Sequence, residues 1–216
     1  MFYAVFSTSM NGLVGSAICK FSLYSIQEVF NGKFKEQATS SSAWLPVLTS
    51  KVPDPRPGVC VNDTQTLPDS VLNFIRGHPL MDSAVPHEHG RPVFYKRDVV
   101  FTRIAVQKEV ANEQIITIYF AATATGHIYK IAEWTDGRND MQSNLVDVFE
   151  ATTPEPVRAL HISQKHKSLY VASDSQIRQF HLYSCKARYE TCVRCTRDPH
   201  CGWDRSHGDC RPFNLG

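Results

Sequence analysis

The sequence contains few of the features that mark enzymes, membrane spans or nucleic-acid-binding proteins. No apolar run approaches the roughly 18 residues that a membrane helix needs. The 23 Lys and Arg residues nearly balance the 21 Asp and Glu residues, for a formal net charge of +2, which indicates no strong preference for a polyanion. No Ser-His-Asp order, phosphate-binding glycine loop or paired-carboxylate motif stands out. We therefore expect no catalytic residues, no cofactor and no nucleic-acid partner.

The start of the chain also lacks a secretion signal. Met1 is followed at once by strand-like sequence, without a basic segment or a small-residue cleavage site. We therefore expect Met1 to be an internal methionine, and the chain to be a fragment or a truncated product.

The positive charge is concentrated near the C-terminus. The segment Val157–Gly216 carries ten Lys and Arg residues against five Asp and Glu residues. A basic surface of this kind is able to contact sulfated glycans or acidic lipid headgroups. The alternative is an ordinary solvated face.

A repeated hairpin pattern dominates the rest of the sequence. Residues Ile115–Trp134 form two runs of β-branched and aromatic residues around a small-residue turn. The pattern returns at Leu169–Phe180, where Tyr119 and Tyr170 lie 51 positions apart, and a weaker copy lies at Phe2–Phe21. A β-hairpin that recurs with a period of roughly 50 residues is typical of propeller blades. Two unrelated hairpins in a β-sandwich are the alternative.

The flanking sequence predicts the strands that complete these units. Val99–Val106, the hairpin Ile115–Trp134 and Asn144–Phe149 give four strands in order, which is a complete antiparallel blade. Val157–Ser163 and residues 168–182 give three strands of a second blade. A propeller commonly closes its ring with a strand from the other end of the chain. We therefore expect the fourth strand of this blade to come from a segment outside the sequence.

Two short helices are predicted between the first hairpin and the central strands. Ser25–Phe30 has a Ser followed three residues later by Glu28, the pattern of a capping box. Leu67–Met81 has a proline suited to the first helical turn and apolar residues at helical spacing, namely Val71, Leu72 and Ile75.

Five cysteines crowd into the last part of the chain, spaced as C-x6-C-x2-C-x5-C-G-W-x6-C from Cys185 to Cys210. Three interpretations compete. The pair Cys192 and Cys195 has the spacing of half a zinc ribbon, and His200 stands beside Cys201. A thioredoxin-like redox pair requires a βαβ pattern that is missing here. A small module stapled by disulfides is the interpretation that we favour, because the tail is too short to form a core of its own.

The tail also carries a family resemblance. With Arg197–Asp204 (RDPHCGWD), it resembles the start of a PSI module, which is named for plexins, semaphorins and integrins. The preceding sequence resembles the C-terminal part of the sema domain of a semaphorin, closest to the invertebrate transmembrane class. Plexins and Met-type receptors share the order of propeller and PSI module but not the helix phrase LPDSVL (Leu67–Leu72) or the phrase HPLM (His78–Met81). The phrases that carry the resemblance are VGSAIC at Val14–Cys19, PRPGVC at Pro55–Cys60, LPDSVL at Leu67–Leu72, HPLM at His78–Met81 and YKRDV at Tyr95–Val99.

The resemblance implies an all-β fold with two parts. Residues 1–184 would be the C-terminal part of a seven-bladed β-propeller, holding part of blade five and blades six and seven. Residues 185–216 would be the N-terminal part of a PSI module. The implied parent is a guidance ligand, either membrane-anchored or secreted, that binds a plexin-type receptor outside the cell, often as a repellent. It would dimerise through its sema domain. A truncated decoy that lacks most of the receptor-binding blades is the alternative.

The resemblance also implies how the seven cysteines pair. Cys185 would bond Cys201, and Cys195 would bond Cys210, while Cys192 would await a cysteine beyond Gly216. Cys19 and Cys60 would each pair with a cysteine upstream of the present chain. A Cys19–Cys60 bridge is the alternative.

One further site follows from an extracellular location. Asn62-Asp63-Thr64 is the single N-x-S/T triplet of the sequence, and Asn62 is therefore the candidate N-glycosylation site.

Overall fold

The computed structural model describes residues 1–8, 12–111 and 114–213. The chain divides into two compact units. The smaller unit comprises Met1–Phe2 and Phe21–Glu88, and the larger unit comprises Tyr3–Lys20 and His89–Gly216.

The described residues contain fifteen strands and four helices, besides three short 3-10 turns. The strands are β1 (Phe2–Ser7), β2 (Gly15–Phe21), β3 (Phe34–Glu36), β4 (Leu45–Pro46), β5 (Leu80–Met81), β6 (Phe94–Arg97), β7 (Phe101–Ala111), β8 (Gln114–Thr123), β9 (His127–Thr135), β10 (Met141–Glu150), β11 (Ala159–Ser163), β12 (Ser168–Ala172), β13 (Ile177–His181), β14 (Cys201–Asp204) and β15 (Asp209–Pro212). The helices are α1 (Leu23–Asn31), α2 (Asp69–Gly77), α3 (Cys185–Arg188) and α4 (Cys192–Cys195).

The larger unit consists mainly of three antiparallel sheets. Strands β7, β8, β9 and β10 form a four-stranded meander, which confirms the order predicted for the central part of the chain. Strands β11, β12 and β13 form the predicted three-stranded sheet, and β1, β2 and β6 form another. The smaller unit holds the short sheet of β4, β3 and β5. The protein is therefore rich in antiparallel β-sheet, as expected.

The four-stranded sheet is buried on both faces. Because side chains alternate across a strand, Ile118 and Phe120 of β8 point to one face and Tyr119 and Ala121 to the other. The first pair packs in an apolar cluster with Leu169 of β12 and its neighbours. The second pair packs in a separate cluster that includes residues of the β1, β2 and β6 sheet. Sheets stacked on both faces of a central sheet are what a partial propeller requires.

The β8–β9 turn sits against backbone on its outer side. Gly126 has φ +80°, and a Cβ atom built there would lie 2.5 Å from the Thr153 nitrogen and 2.6 Å from the Glu155 carbonyl oxygen. The Gly126 carbonyl accepts hydrogen bonds from the backbone nitrogens of Ala151 and Thr152, each at 2.9 Å. Glycine is therefore required at this turn for both its backbone conformation and its lack of a side chain.

The two predicted helices form, with corrections to their details. The cap of α1 is Ser22, whose hydroxyl accepts a hydrogen bond from the Ser25 nitrogen at 3.0 Å. The predicted cap at Ser25 is wrong, since the chain leaves β2 at Phe21 and Ser22 is the first residue free to cap. In α2 the buried residues are Val71 and Phe74, whereas the predicted Leu72 and Ile75 are exposed.

Candidate functional site: the junction of the central sheet and the cysteine-rich tail

The cysteine-rich tail, residues 185–213, folds around its sulfur atoms. The Sγ atoms of Cys185 and Cys201 lie 1.96 Å apart, and those of Cys195 and Cys210 lie 1.99 Å apart. The four cysteines and Tyr189 form a buried cluster, with the Trp203 side chain packed against it. So small a segment owes its core to these contacts and not to a large apolar interior.

The same sulfurs bear on the zinc interpretation. Those of Cys185, Cys201 and Cys210 lie within 4.8 Å of one another, which is close enough for a shared metal ion by distance alone. Each of the three is joined to another cysteine in the structure. Because zinc binds the thiolate form of cysteine, these sulfurs are not available as ligands in this arrangement.

Among the residues that the structure describes, the other three cysteines have no sulfur partner. Cys19 is buried on β2, and burial raises the pKa of its thiol. Cys60 and Cys192 are exposed. The structure does not join Cys19 to Cys60. The candidate glycosylation residue, Asn62, lies at an exposed bend just ahead of a 3-10 turn, which leaves its amide accessible.

A buried ion pair attaches the tail to the central sheet. Lys130 projects from β9 and donates to both carboxylate oxygens of Asp198 at 2.6 Å. The Tyr189 hydroxyl donates to the same carboxylate at 2.7 Å, and the His200 backbone nitrogen donates to it at 2.9 Å. Burial, the largest single effect, raises the pKa of the Asp198 carboxyl, but the charge of Lys130 and the hydrogen bonds from Lys130 and Tyr189 act together with other nearby groups to hold the pKa below its usual range. The carboxylate is thus charged and fully coordinated by donors.

His200 extends this network toward the other side of the tail. Its Nδ1 lies 2.8 Å from the Lys130 Nζ and accepts from that ammonium, so the ring proton resides on Nε2. The Nε2 atom has no hydrogen-bond partner among the described residues and lies 3.7 Å from Oε1 of Glu109 on β7. Burial and the Lys130 ammonium lower the pKa of His200 to about 3, so the ring is neutral at physiological pH.

The junction holds the tail in position. Lys130, Asp198 and His200 are all nearly inaccessible to solvent, so no substrate reaches them. A second contact supports the same arrangement, since Arg188 of α3 donates to Asp147 of β10 at 3.1 Å. Buried ion pairs favour one geometry, because each partner left alone would be an unpaired buried charge.

The sequence contained a signal for one half of this junction. Lys130 lies on the same face of β9 as Ile128, within a strand that is otherwise apolar on that face. A lysine at such a position indicates a buried charge with a partner. In the sequence, its partner Asp198 belongs to the PSI-like motif, and His200 belongs to that motif and to the zinc alternative, where it stands beside Cys201.

The chain matches a family model over most of its length and several known proteins over nearly all of it. Residues 1–164 match the family model described as "Sema domain", which defines the class of protein. The chain is 60% identical over 219 residues to Semaphorin-2A of Schistocerca gregaria, covering 100% of this chain and 31% of that protein. It is 54% identical over 217 residues to Semaphorin-2A of Drosophila melanogaster, covering 99% of this chain and 30% of that protein. The chain belongs to the semaphorin family, which confirms the predicted resemblance.

Solved structures agree with this assignment. The fold matches a chain described as Drosophila Semaphorin 2a with a TM-score of 0.91 and 53% identity, covering 99% of this chain and 35% of that one. It also matches a chain from Drosophila Plexin A in complex with Semaphorin 1b, with a TM-score of 0.86 and 34% identity, covering 99% and 44%. The chain spans about a third of the length of the curated relatives given above. Within the described ranges, every helix is too short or too polar to cross a bilayer.

Proposed function

We propose that residues 1–184 are the C-terminal part of a seven-bladed sema propeller and that residues 185–216 begin a PSI module. In this assignment β1, β2 and β6 belong to blade five, β7 to β10 form blade six, and β11 to β13 form most of blade seven. The stacking of apolar clusters on both faces of the central sheet supports the propeller. The compact cluster of sulfurs supports the module.

The last blade is completed by a strand from elsewhere in the parent protein. Among the described strands, β13 has one paired neighbour, β12, and its other edge is unpaired. An unpaired strand edge presents backbone N–H and C=O groups with which a further strand is able to pair, and Ile177 on this strand is 77% exposed. Pairing of an upstream strand with β13 would cover that edge and close the ring.

The cysteines and the sequon fit an extracellular protein. We propose disulfides between Cys185 and Cys201 and between Cys195 and Cys210, as the sulfur positions favour. Cys19, Cys60 and Cys192 would pair with cysteines in other parts of the parent. An N-glycan on Asn62 suits its exposed position. Residues in the parent protein would decide whether it is anchored to the membrane or released.

The function that these features support is that of a guidance ligand which binds a plexin-type receptor and steers axons or migrating cells, often by repulsion. The observation that carries the proposal is the match to a chain from the complex of Plexin A with Semaphorin 1b. The parent would dimerise through its sema domain. The proposed role is one of binding and not of catalysis.

A second candidate is a decoy that occupies a receptor or a parent ligand without signalling. A partial propeller would present only part of the receptor surface.

A receptor assay separates the two candidates. The chain is secreted from insect cells, its Asn62 glycan is verified by a mass shift that Asn62→Gln removes, and its binding to an immobilised plexin ectodomain is measured. Binding with collapse of growth cones supports the ligand. Binding without collapse, with competition against a complete semaphorin, supports the decoy. Absence of binding by both the chain and its complete parent would refute the plexin proposal.

A further inference from the structure

A groove of about 340 Å³ lies in the larger unit between one face of the central sheet and the tail. We name it the Trp134 groove. Its size is at the lower end of the range for small-ligand sites, roughly 300–1,000 Å³. The residues that matter to its chemistry are Gln114, Ile116, Trp134, Asn144, Arg197 and Pro199.

The floor of the Trp134 groove is the face of the sheet that also carries Lys130. Trp134 follows Lys130 on that face of β9, four positions along the strand, and is half-buried. Asn144 of β10 pairs with Ala132, which lies between Lys130 and Trp134 on the same face. The floor is therefore set by strand register and does not depend on a mobile loop.

The opposite wall is the segment Thr196–Pro199 of the tail. This segment is held on one side by the bond between Cys195 and Cys210 and on the other by the pairing of Asp198 with Lys130. Arg197 stands between these two attachments and is exposed. The groove is thus preformed, which lowers the entropic cost of binding a ligand.

The polar side chains of the groove are not used by the fold. Gln114, Asn144 and Arg197 have no side-chain hydrogen bond or ion pair with the residues that the structure describes. By contrast, the neighbouring Arg188 and Arg194 face Asp147 at 3.1 and 3.9 Å. Two amides, which both donate and accept, and one guanidinium therefore face the groove with unfilled hydrogen-bonding capacity.

The charge of the groove selects among ligands. None of its lining residues is acidic, and Arg197 supplies its single formal charge. A guanidinium recognises a carboxylate or sulfate through paired hydrogen bonds. The indole of Trp134 and the side chain of Ile116 offer apolar surface beside these polar groups. This combination matches a sugar ring, which has apolar C–H faces, hydroxyl groups at its rim and, in acidic glycans, an anionic substituent.

We propose that the Trp134 groove binds one acidic sugar unit of a glycan, with the carboxylate or sulfate on Arg197, the hydroxyls on Gln114 and Asn144, and the ring against Trp134. The proposed site does not rest on the plexin proposal, and it gives a specific location to the glycan contact considered for the basic C-terminal segment.

The test uses the full chain and a heparin-derived hexasaccharide as the probe, measured by calorimetry and tryptophan fluorescence. We expect Arg197→Ala to weaken binding about tenfold, since a hydrogen bond to a charged group is lost. Arg205→Ala is the matched control, because Arg205 is an exposed arginine of the same tail that does not line the groove; its affinity should stay within about twofold. Trp134→Phe should abolish the fluorescence change on binding, and circular dichroism checks that each variant is folded.

Three results would overturn the proposal. Equal losses in Arg197→Ala and Arg205→Ala would mean that the hexasaccharide binds a diffuse basic surface. A fluorescence change that persists in Trp134→Phe would place the sugar elsewhere. Equally tight binding of a tri-aspartate peptide would show that the groove recognises an anionic peptide or charge alone. Because no receptor is present, these outcomes are distinct from failure of the plexin proposal.

Discussion

Replacing Lys130 by methionine tests whether the buried ion pair holds the tail on the central sheet. Methionine keeps the length of the side chain but removes its ammonium. Asp198 then remains 1% exposed, with donors left only from the Tyr189 hydroxyl and the His200 backbone. The variant therefore leaves a carboxylate buried without its counter-charge.

The magnitude follows from this geometry. Removal of one partner of a buried ion pair costs about 3–5 kcal/mol, and the two remaining donors favour the lower end, about 3 kcal/mol. Natural domains have free energies of unfolding of about 5–15 kcal/mol, so the loss is a large part of the total. At a urea dependence of about 2–3 kcal/mol per molar, the unfolding midpoint should fall by about 1 M.

The assay is urea unfolding under non-reducing conditions, followed by circular dichroism. Arg158→Met is the matched control, because it breaks an ion pair with Asp174 whose members are both mostly exposed; its midpoint should stay near that of the unaltered chain. Combining Lys130→Met with Asp198→Asn removes both charges, and should be less destabilising than the sum of the two single changes by about 2 kcal/mol. Additive effects, or a Lys130→Met midpoint equal to that of the control, would refute the role assigned to the pair.

Two further predictions concern the turn at Gly126 and the protonation of His200. Gly126→Ala should destabilise the chain by about 2–4 kcal/mol, because its Cβ would overpack against backbone and its φ is positive. Gly137→Ala is the control and should be nearly neutral, since the space around its Cβ is open. Similar unfolding midpoints for the two variants would contradict the close approach of backbone to Gly126. The folded-state pKa of His200 is about 3, below its usual 6.5. Between these two values the unfolded chain binds a proton at this residue and the folded chain does not. The contribution of neutral His200 to the free energy of unfolding is complete above pH 6.5. It declines as the pH falls, by roughly 2 kcal/mol between pH 6.5 and 5. His200→Asn should flatten this decline in pH-dependent unfolding and the exposed His166→Asn should not; parallel profiles for the two variants would reject the argument.

The strand pattern was predictable because its physical basis is local. The alternation in Ile115–Trp134 and the small residues at its turn specify a hairpin without reference to the rest of the chain. The strands β7 and β10 are longer than the predicted Val99–Val106 and Asn144–Phe149, since pairing with β8 and β9 extends regular structure beyond the residues of high propensity. The predicted cap of α1 was wrong for the opposite reason, because the exit of the chain from β2 determines where α1 begins.

The candidate site was predictable only in part. The spacing of the tail cysteines left three interpretations, namely a zinc site, a redox pair and a disulfide-bonded module. The resemblance then implied one set of disulfide pairings. Nothing local indicated that Lys130 would meet Asp198, 68 positions away, or that Arg197 and Trp134 would line one groove.

The sequence by itself determined which segments form the central four-stranded sheet and the three-stranded sheet that follows it, and where the central hairpin turns, because side-chain alternation and turn chemistry act over a few residues. The tertiary structure alone decided which charges are buried together and which polar side chains remain free. Those outcomes depend on how the tail packs against the sheet, and such packing joins residues that are distant along the chain.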